Sequence, residues 1–294
     1  MKKILILFIL VSALSGCSLK SNDDDQKIKI VVSFYVLEYL TQRIGGEFVS
    51  ITNLLPTAGE PHDYEPSTKD MVTLSKANHI FILGNQFEPW FDDVSKTIYH
   101  KRQEVLVVSQ GIPTIVNSTT NQIDPHVWTS LRNNVVMLNT IKNELIRIDP
   151  DHKIEYEANY QAAKAEFETL DQEFIEVLKN RVRDEFVVNH AAFGYLAKDY
   201  GLNMIPIMGI EPDAQPNASM MAKIIDIVKQ YDIPYILYED DADTEVADTI
   251  AAETGALTGV LRPGESLNVK QIANGDDFLS IMRQNLQWLK KALT

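Results

Sequence analysis

Three histidines are candidates for a metal site, because each lies in a loop after a stretch typical of a β-strand. They are His62, His126 and His190, out of six histidines in the chain. Neutral imidazoles suit zinc and other borderline metals, whereas sites made only of oxygen ligands suit calcium or magnesium. Spacing alone leaves open the alternative that each is an ordinary surface or core histidine.

The elements that must position these loops alternate between strands and helices. Predicted strands begin at Ile28, Phe48, His79 and Glu104 in the first half, and at Glu185, Asn203, Pro234 and Ala256 in the second. Helical patterns of about ten residues separate them, which is typical of a parallel sheet wrapped by helices. In open α/β sheets, ligands bind beyond the carboxyl ends of the strands, so function is expected in the loops there.

A long helix is predicted between the two halves, over residues 151–180, which contain neither glycine nor proline. One apolar stripe recurs at steps of four and three: Tyr156, Tyr160, Ala163, Phe167, Leu170, Phe174 and Val177. Asp149 is expected to cap this helix, with Pro150 at its first position. The alternative is a coiled-coil dimer, for which a short seam of Ala and Tyr is weak. We therefore expect the helix to join two lobes.

Composition excludes some classes of function. A net charge of -14 disfavours nucleic acid as a partner, because phosphate binding needs clustered lysine and arginine. The single cysteine excludes an intrachain disulfide and a thiolate metal site. An acidic protein is compatible with a cation as its ligand.

The first residues are typical of an export signal. Lys2 and Lys3 precede an apolar run that is too short to span a membrane, and Leu14-Ser15-Gly16-Cys17 follows. This ending resembles a bacterial lipobox, so residues 1–16 are interpreted as a signal peptide and Cys17 as the lipidation site. The polar residues 17–27 are interpreted as a flexible tether. The alternatives are a plain secretory signal or a buried N-terminal strand.

Three loops of the chain resemble the signature loops of the zinc- and manganese-binding lipoproteins of ABC importers (the cluster A-I metal solute-binding proteins). They are Gly59 to Ser67 (GEPHDYEPS), Asp124 to Trp128 (DPHVW) and Val188 to Tyr195 (VNHAAFGY). The similarity covers essentially the whole chain. It implies two (β/α)4 lobes, residues 28–150 and 181–294, joined by a rigid helix at 151–180 with the metal in the cleft between them.

The same resemblance implies the ligands. His62, His126 and His190 occupy the family's first three positions, and an acidic residue near the start of the last loop is the fourth. We assign this role to Glu265; Glu239, which also ends a strand, and a water molecule are the alternatives. Gly264 departs from the family pattern, since zinc-binding members often have Leu there.

The metal is expected to be zinc. Three imidazoles and one carboxylate form a four-coordinate set that suits Zn²⁺, whereas manganese prefers more oxygen and its binders tend to carry Glu at the third position. Many zinc-binding members have a His-rich segment between the first two loops. In this chain the corresponding residues 101–123 contain no histidine.

Groups next to the ligands could orient or enclose them. Glu60, Asp63 and Asp124 are candidates for hydrogen bonds to the imidazoles, and Glu239 is another if it does not bind the metal itself. Trp128, Phe193 and Tyr195 are candidates for the walls of the site. The alternatives are solvated acids and ordinary core aromatics.

The predicted function is metal capture rather than catalysis. A monomeric lipoprotein, anchored outside the bacterial cytoplasmic membrane or periplasmic, would bind Zn²⁺ and deliver it to an ABC permease with its cytoplasmic ATPase. The alternatives are a manganese-binding component of the same fold, a zinc hydrolase with Glu265 as general base, and a surface adhesin. The sequence has no HExxH or nucleophile-elbow motif, which disfavours a hydrolase.

Overall fold

The structure is a computed structural model, which describes residues 27–55, 57–84, 86–98, 102–116, 121–210, 216–239 and 244–294. The predicted signal peptide, the lipidation site Cys17 and most of the tether lie outside the described residues. So do His100 and the acidic residues Asp240, Asp241 and Asp243. Within the described residues, no helix is both long and apolar enough to cross a membrane.

The first lobe contains one parallel sheet. Its elements are β1 (Ile28–Val32), α1 (Tyr35–Gly45), β2 (Val49–Asn53), α2 (Thr68–Lys76), β3 (His79–Ile82), α3 (Phe91–Ile98), β4 (Glu104–Val107), a two-stranded antiparallel ladder of β5 (Ile115–Val116) and β6 (Ile123–Asp124), and α4 (Leu131–Ile148). The sheet order is β2-β1-β3-β4, so β1 lies at the centre.

The second lobe repeats this plan after the linking helix α5 (Lys153–Leu178). Its elements are β7 (Glu185–Val188), α6 (Gly194–Tyr200), β8 (Asn203–Pro206), α7 (Ala218–Gln230), β9 (Tyr235–Tyr238), α8 (Glu245–Thr254), β10 (Leu257–Val260), α9 (Val269–Asn274) and α10 (Phe278–Leu293). All pairings are parallel, in the order β10-β9-β7-β8. The predicted α/β class with two lobes of four strands each is confirmed.

The apolar stripe of α5 is buried within the chain. Tyr156, Ala163, Phe167, Leu170 and Phe174 are all 0% exposed. The helix packs on α1 and α4 of the first lobe and on α10 of the second. Because these contacts cover the stripe, α5 has no apolar seam left to offer a coiled-coil partner. Two positions differ from the prediction: Tyr160 and Val177 are only partly covered, and Leu178 is buried at the end of the stripe.

The predicted cap of this helix is wrong. Pro150–His152 forms a separate turn of 3₁₀-helix, and Asp149 makes no side-chain capping bond. Its carboxylate accepts hydrogen bonds from Nδ1 of His152 and the hydroxyl of Tyr156, both at 2.6 Å. Two side-chain donors are therefore the close partners of this carboxylate.

The two lobes share a hydrophobic core. One cluster of buried side chains runs from Ile30 in β1 through Leu138 in α4 and Phe167 in α5 to Phe186 in β7 and Leu286 in α10. Burying a large apolar side chain contributes about 1.5–3 kcal/mol. Since the cluster spans both lobes, separating them would expose part of this core to water.

Candidate metal centre

The three predicted histidines converge in the cleft between the lobes. One ring nitrogen from each of His62, His126 and His190 lies within 4.8 Å of the others. Nε2 of His62 and Nε2 of His126 are 3.0 Å apart. They come from the loops after β2, β6 and β7, so the carboxyl-end loops of both lobes meet here, as expected for α/β sheets.

His126 is held by the aspartate that precedes it by two residues. Its Nδ1 donates to Oδ1 of Asp124 at 2.8 Å, and its backbone N–H donates to the same oxygen at 2.9 Å. His126 is 0% exposed. With Nδ1 occupied, the ring presents Nε2 to the cleft. Burial raises the pKa of Asp124 to about 7, against the opposing hydrogen bond from His126.

His190 is held by the residue that ends β9. Its Nδ1 donates to the carboxylate of Glu239, and its buried Nε2 has no hydrogen-bond partner. Burial lowers the pKa of His190, but the carboxylates of Glu239, Glu60 and Asp124 together outweigh burial, and the net pKa is raised. Because Glu239 contacts Nδ1, the other ring nitrogen, Nε2, is free to face the cleft.

Glu265 lies beside His62. Its carboxylate, that of Glu60 and a ring nitrogen of His62 lie within 4.8 Å of one another. Glu265 is buried, and its Oε2 has no hydrogen-bond partner. Burial and the nearby carboxylates of Glu239 and Glu60 raise its pKa well above the usual range. A buried, unpartnered carboxylate oxygen is costly unless a cation or proton satisfies it.

Gly264 fits the backbone that presents Glu265. Its φ is +77°, a left-handed conformation that side chains other than glycine rarely adopt, and an added Cβ would lie 3.2 Å from the ring of Phe278. The departure from the family pattern at this position therefore agrees with the local conformation of the loop.

Glu60 does not contact an imidazole nitrogen by hydrogen bond. Its Oε1 accepts from the backbone N–H of His62 at 3.0 Å, so it shapes the loop. Burial raises its pKa against that bond, and Glu239 raises it further. Three carboxyl groups with raised pKa values, those of Glu60, Asp124 and Glu265, thus surround the imidazoles.

Trp128 joins the two loops that flank the site. Its ring centroid lies 5.2 Å from that of His126, and its Nε1 donates to the carbonyl oxygen of Pro263 at 3.0 Å. Pro263 belongs to the loop that carries Glu265. Trp128 therefore covers one imidazole and ties the first lobe to the loop of the second.

Tyr195 of the second lobe forms hydrogen bonds to the first lobe. Its hydroxyl donates to the carbonyl oxygen of Asp124 at 3.0 Å and accepts from the backbone N–H of Ile115 at 2.9 Å. Gly194 permits this approach, since a Cβ there would lie 2.5 Å from Oδ2 of Asp124. Phe193 is buried in the shared core and serves as a core aromatic.

Phe87 also borders the site, although the sequence did not predict it. Its ring lies edge-on to His62, with centroids 5.5 Å apart, and packs against Trp128 at 4.9 Å. The next residue, Glu88, is buried and accepts from Ser33 Oγ and from the backbone N–H groups of Leu83 and Gly84. Its position in the sequence could have made Phe87 a candidate, because it lies in a loop after the carboxyl end of β3.

The pKa values of two imidazoles favour the neutral form. Burial, together with His126 and His190, lowers the pKa of His62 to about 3. Burial and His190 lower the pKa of His126 well below its usual value. Neutral imidazoles carry the lone pairs that a metal ion needs, so both rings are ready to bind a cation at neutral pH.

Comparisons with known proteins point to one family. The family described as zinc-uptake complex component A, periplasmic, matches residues 30–292. The high-affinity zinc uptake system protein ZnuA of Bacillus subtilis is 33% identical over 305 residues, which cover 97% of this chain and 94% of that protein. The zinc-binding protein AdcA of Streptococcus pyogenes is 32% identical over 314 residues, covering 98% of this chain but only 61% of that protein.

The solved structures show the same architecture. The Zn(II)-bound ZnuA-like domain of Streptococcus pneumoniae AdcA superposes with a TM-score of 0.81 at 32% identity, covering 91% of this chain and 99% of that domain. The matching family is one of zinc-transport components and not of enzymes, as the sequence predicted. Sequence and fold thus lead to one conclusion: the chain belongs to the family of periplasmic component A proteins of zinc-uptake complexes.

Proposed function

We propose that this protein captures Zn²⁺ outside the cytoplasmic membrane and delivers it to an ABC permease driven by a cytoplasmic ATPase. The observation that carries the proposal is the convergence of three imidazole nitrogens in the cleft beside a buried carboxylate oxygen that lacks a partner. Three nitrogen donors and one oxygen donor suit four-coordinate zinc. A dication would also offset the negative charge of the surrounding carboxylates.

The proposed ligands are Nε2 of His62, His126 and His190 and a carboxylate oxygen of Glu265. Asp124 and Glu239 would hold two of the rings through Nδ1, which fixes the tautomer that a metal needs. An imidazole at the third position favours zinc over manganese. Four protein ligands close the site, so no position remains for the activated water of a zinc hydrolase.

The sequence supports further parts of the proposal. Residues 1–16 would be removed on export, and a lipid on Cys17 would anchor the protein to the membrane. Residues 17–27 would form the tether between this anchor and the folded part. The folded part would consist of two domains, 28–150 and 181–294, linked by the helix at 151–180. The protein would act as a monomer. Mass spectrometry of the mature protein is expected to find a lipid on Cys17; an unmodified Cys17 would contradict the anchor.

The decisive experiment is native mass spectrometry of metal-stripped protein during titration with Zn²⁺ and with Mn²⁺. We expect one tightly held zinc per chain, and weaker retention of manganese. His190→Ala is expected to lose this zinc, and Glu265→Ala to weaken it. His152→Ala is the matched control, because His152 pairs with Asp149 at the start of α5 and, among the described residues, belongs to neither the cleft nor another cluster of metal-ligating side chains.

Each contrary outcome has a distinct meaning. Equal zinc retention by His190→Ala and His152→Ala would refute the ligand assignment. Unchanged retention by Glu265→Ala would move the fourth ligand to Glu239 or water. Strong preference for manganese would refute zinc as the cargo.

A further inference from the structure

A second cluster of metal-ligating side chains lies at the amino ends of two strands of the first sheet, whereas the cleft lies at the carboxyl ends. His79 is the first residue of β3, Glu104 is the first residue of β4, and Glu144 lies on α4. One potential ligand atom from each lies within 4.8 Å of the others. The cleft histidines follow the carboxyl ends of the strands, whereas this cluster lies at the amino ends, so the two groups are separate.

One buried nitrogen atom of this cluster has no hydrogen-bond partner. Nδ1 of His79 is buried and has no hydrogen-bond partner, although Oε2 of Glu104 lies 3.5 Å away. If Nδ1 carries a hydrogen, that donor is unsatisfied; if it carries a lone pair, the lone pair faces a carboxylate. Both arrangements are unfavourable for a buried atom, and a cation between the two groups would satisfy both.

A cation of another kind already bridges the two carboxylates. Nη2 of Arg147 lies 2.5 Å from Oε2 of Glu104 and 2.6 Å from Oε1 of Glu144, and Nε of Arg147 donates to Oε2 of Glu144 at 2.9 Å. The Arg147 side chain is 54% exposed, so it can swing into solvent. The glutamates then remain positioned to accept a different cation.

We propose that His79, Glu104 and Glu144 form a second, weaker divalent-cation site, and that Arg147 competes with the cation for the two carboxylates. One imidazole and two carboxylates suit zinc or a similar first-row metal, with water completing the coordination. Tetrahedral zinc keeps its ligand atoms about 3.5 Å apart, which the His79–Glu104 pair already matches. Rotation of the Glu144 side chain would supply the third ligand.

Competition with Arg147 lowers the affinity of this site for a metal ion. A metal ion must displace a charged guanidinium from two carboxylates, so the site fills only when free metal is abundant. Burial lowers the pKa of His79 against the opposing effect of Glu104, which keeps the imidazole neutral and able to bind. The cluster therefore provides a low-affinity metal-binding surface remote from the cleft.

The test is a cobalt titration of the purified protein after one equivalent of Zn²⁺ has been added. Zinc binds nitrogen and oxygen sites more tightly than cobalt, so cobalt reports further sites through its visible absorption. We expect one additional, weakly bound Co²⁺ in the wild-type protein and none in His79→Ala. Arg147→Gln is expected to tighten this Co²⁺ about tenfold, because a competing positive charge is removed.

Arg132→Gln is the matched control for charge. Arg132 pairs with Asp171 and is similarly exposed, so its loss changes the net charge equally without touching the cluster. We expect wild-type cobalt affinity in this variant, and one equivalent of zinc retained in all four proteins. The proposal would be overturned if His79→Ala still bound the additional cobalt, or if neither the wild type nor Arg147→Gln bound it. It would also be overturned if both arginine variants changed the cobalt affinity equally.

Discussion

Glu239 accepts a hydrogen bond from Nδ1 of His190 and thereby couples the end of β9 to the loop after β7. His190 is buried, so the carboxylate determines which ring nitrogen faces the cleft. By sequence position, Glu239 was also a candidate for the fourth ligand. Its contact with Nδ1 supports the proposal that it holds the imidazole while Nε2 binds the metal.

This relationship predicts that Glu239→Gln weakens zinc binding without abolishing it. The amide can still accept from Nδ1 but loses the negative charge, and mutation of such orienting partners typically costs about 10–100-fold in metal affinity. Competition with a fluorescent zinc chelator measures the change. The zinc coordination shell seen by X-ray absorption should stay unchanged in Glu239→Gln, whereas Glu265→Ala should lose an oxygen. Loss of an oxygen in the Glu239 variant would make Glu239 a ligand.

The zinc affinity should fall as the pH falls. Zinc competes with protons for its ligands, and a group with a raised pKa retains its proton to a higher pH. The pKa values of His190 and Glu265 are raised, whereas that of His62 is lowered to about 3. The loss should therefore begin above the ordinary histidine value of about 6.5 and should not involve His62 in that range.

Isothermal titration calorimetry in buffers of different ionisation enthalpy would measure both the affinity and the protons released. We expect net proton release on zinc binding near neutral pH. An affinity that stays constant from about pH 7.5 to about pH 5.5 would contradict histidine ligation.

Gly264→Ala should damage both stability and zinc binding. A left-handed backbone costs a residue with a side chain about 1–2 kcal/mol, and the new Cβ would also press on Phe278. Gly275→Ala is the matched control, because its φ is +76° but nothing lies within 4 Å of the added Cβ. Urea unfolding of the metal-free proteins should show destabilisation of both variants.

Zinc titration separates the two glycine variants. Only Gly264→Ala should weaken zinc binding, because only Gly264 adjoins Glu265. Equal zinc affinities in the two variants would show that the loop conformation at Gly264 does not position the ligand.

Zinc binding should move the lobes only slightly. The lobes share a core and are joined by hydrogen bonds from Trp128 to Pro263, from Thr129 to Ala192 and from Ala58 to Leu267. Hinge closure would have to break or slide these contacts. Small-angle X-ray scattering should give the same radius of gyration, within error, for metal-free and zinc-loaded protein. A clear compaction on zinc addition would contradict this prediction.

The sequence predicted the elements whose signals are local. Alternation of apolar strands and helical patterns predicted four β/α units on each side of α5, because periodicity depends only on neighbouring residues. The strands of β5–β6 have two residues each and α9 has six, which is too short for a periodic pattern. The cap at Asp149 was mispredicted because its competing partners, His152 and Tyr156, are side-chain donors that capping patterns ignore.

The loop motifs predicted which histidines to consider, since a histidine after a strand is visible in the chain itself. Only the tertiary structure decided that they meet, because His62, His126 and His190 come from different loops and are brought together by the sheet order and the shared core. It also separated the two glutamates. Both Glu239 and Glu265 follow strands, and their sequence settings are alike. What distinguishes them is burial and the atom each one faces: Nδ1 of His190 for Glu239, and no hydrogen-bond partner for Oε2 of Glu265.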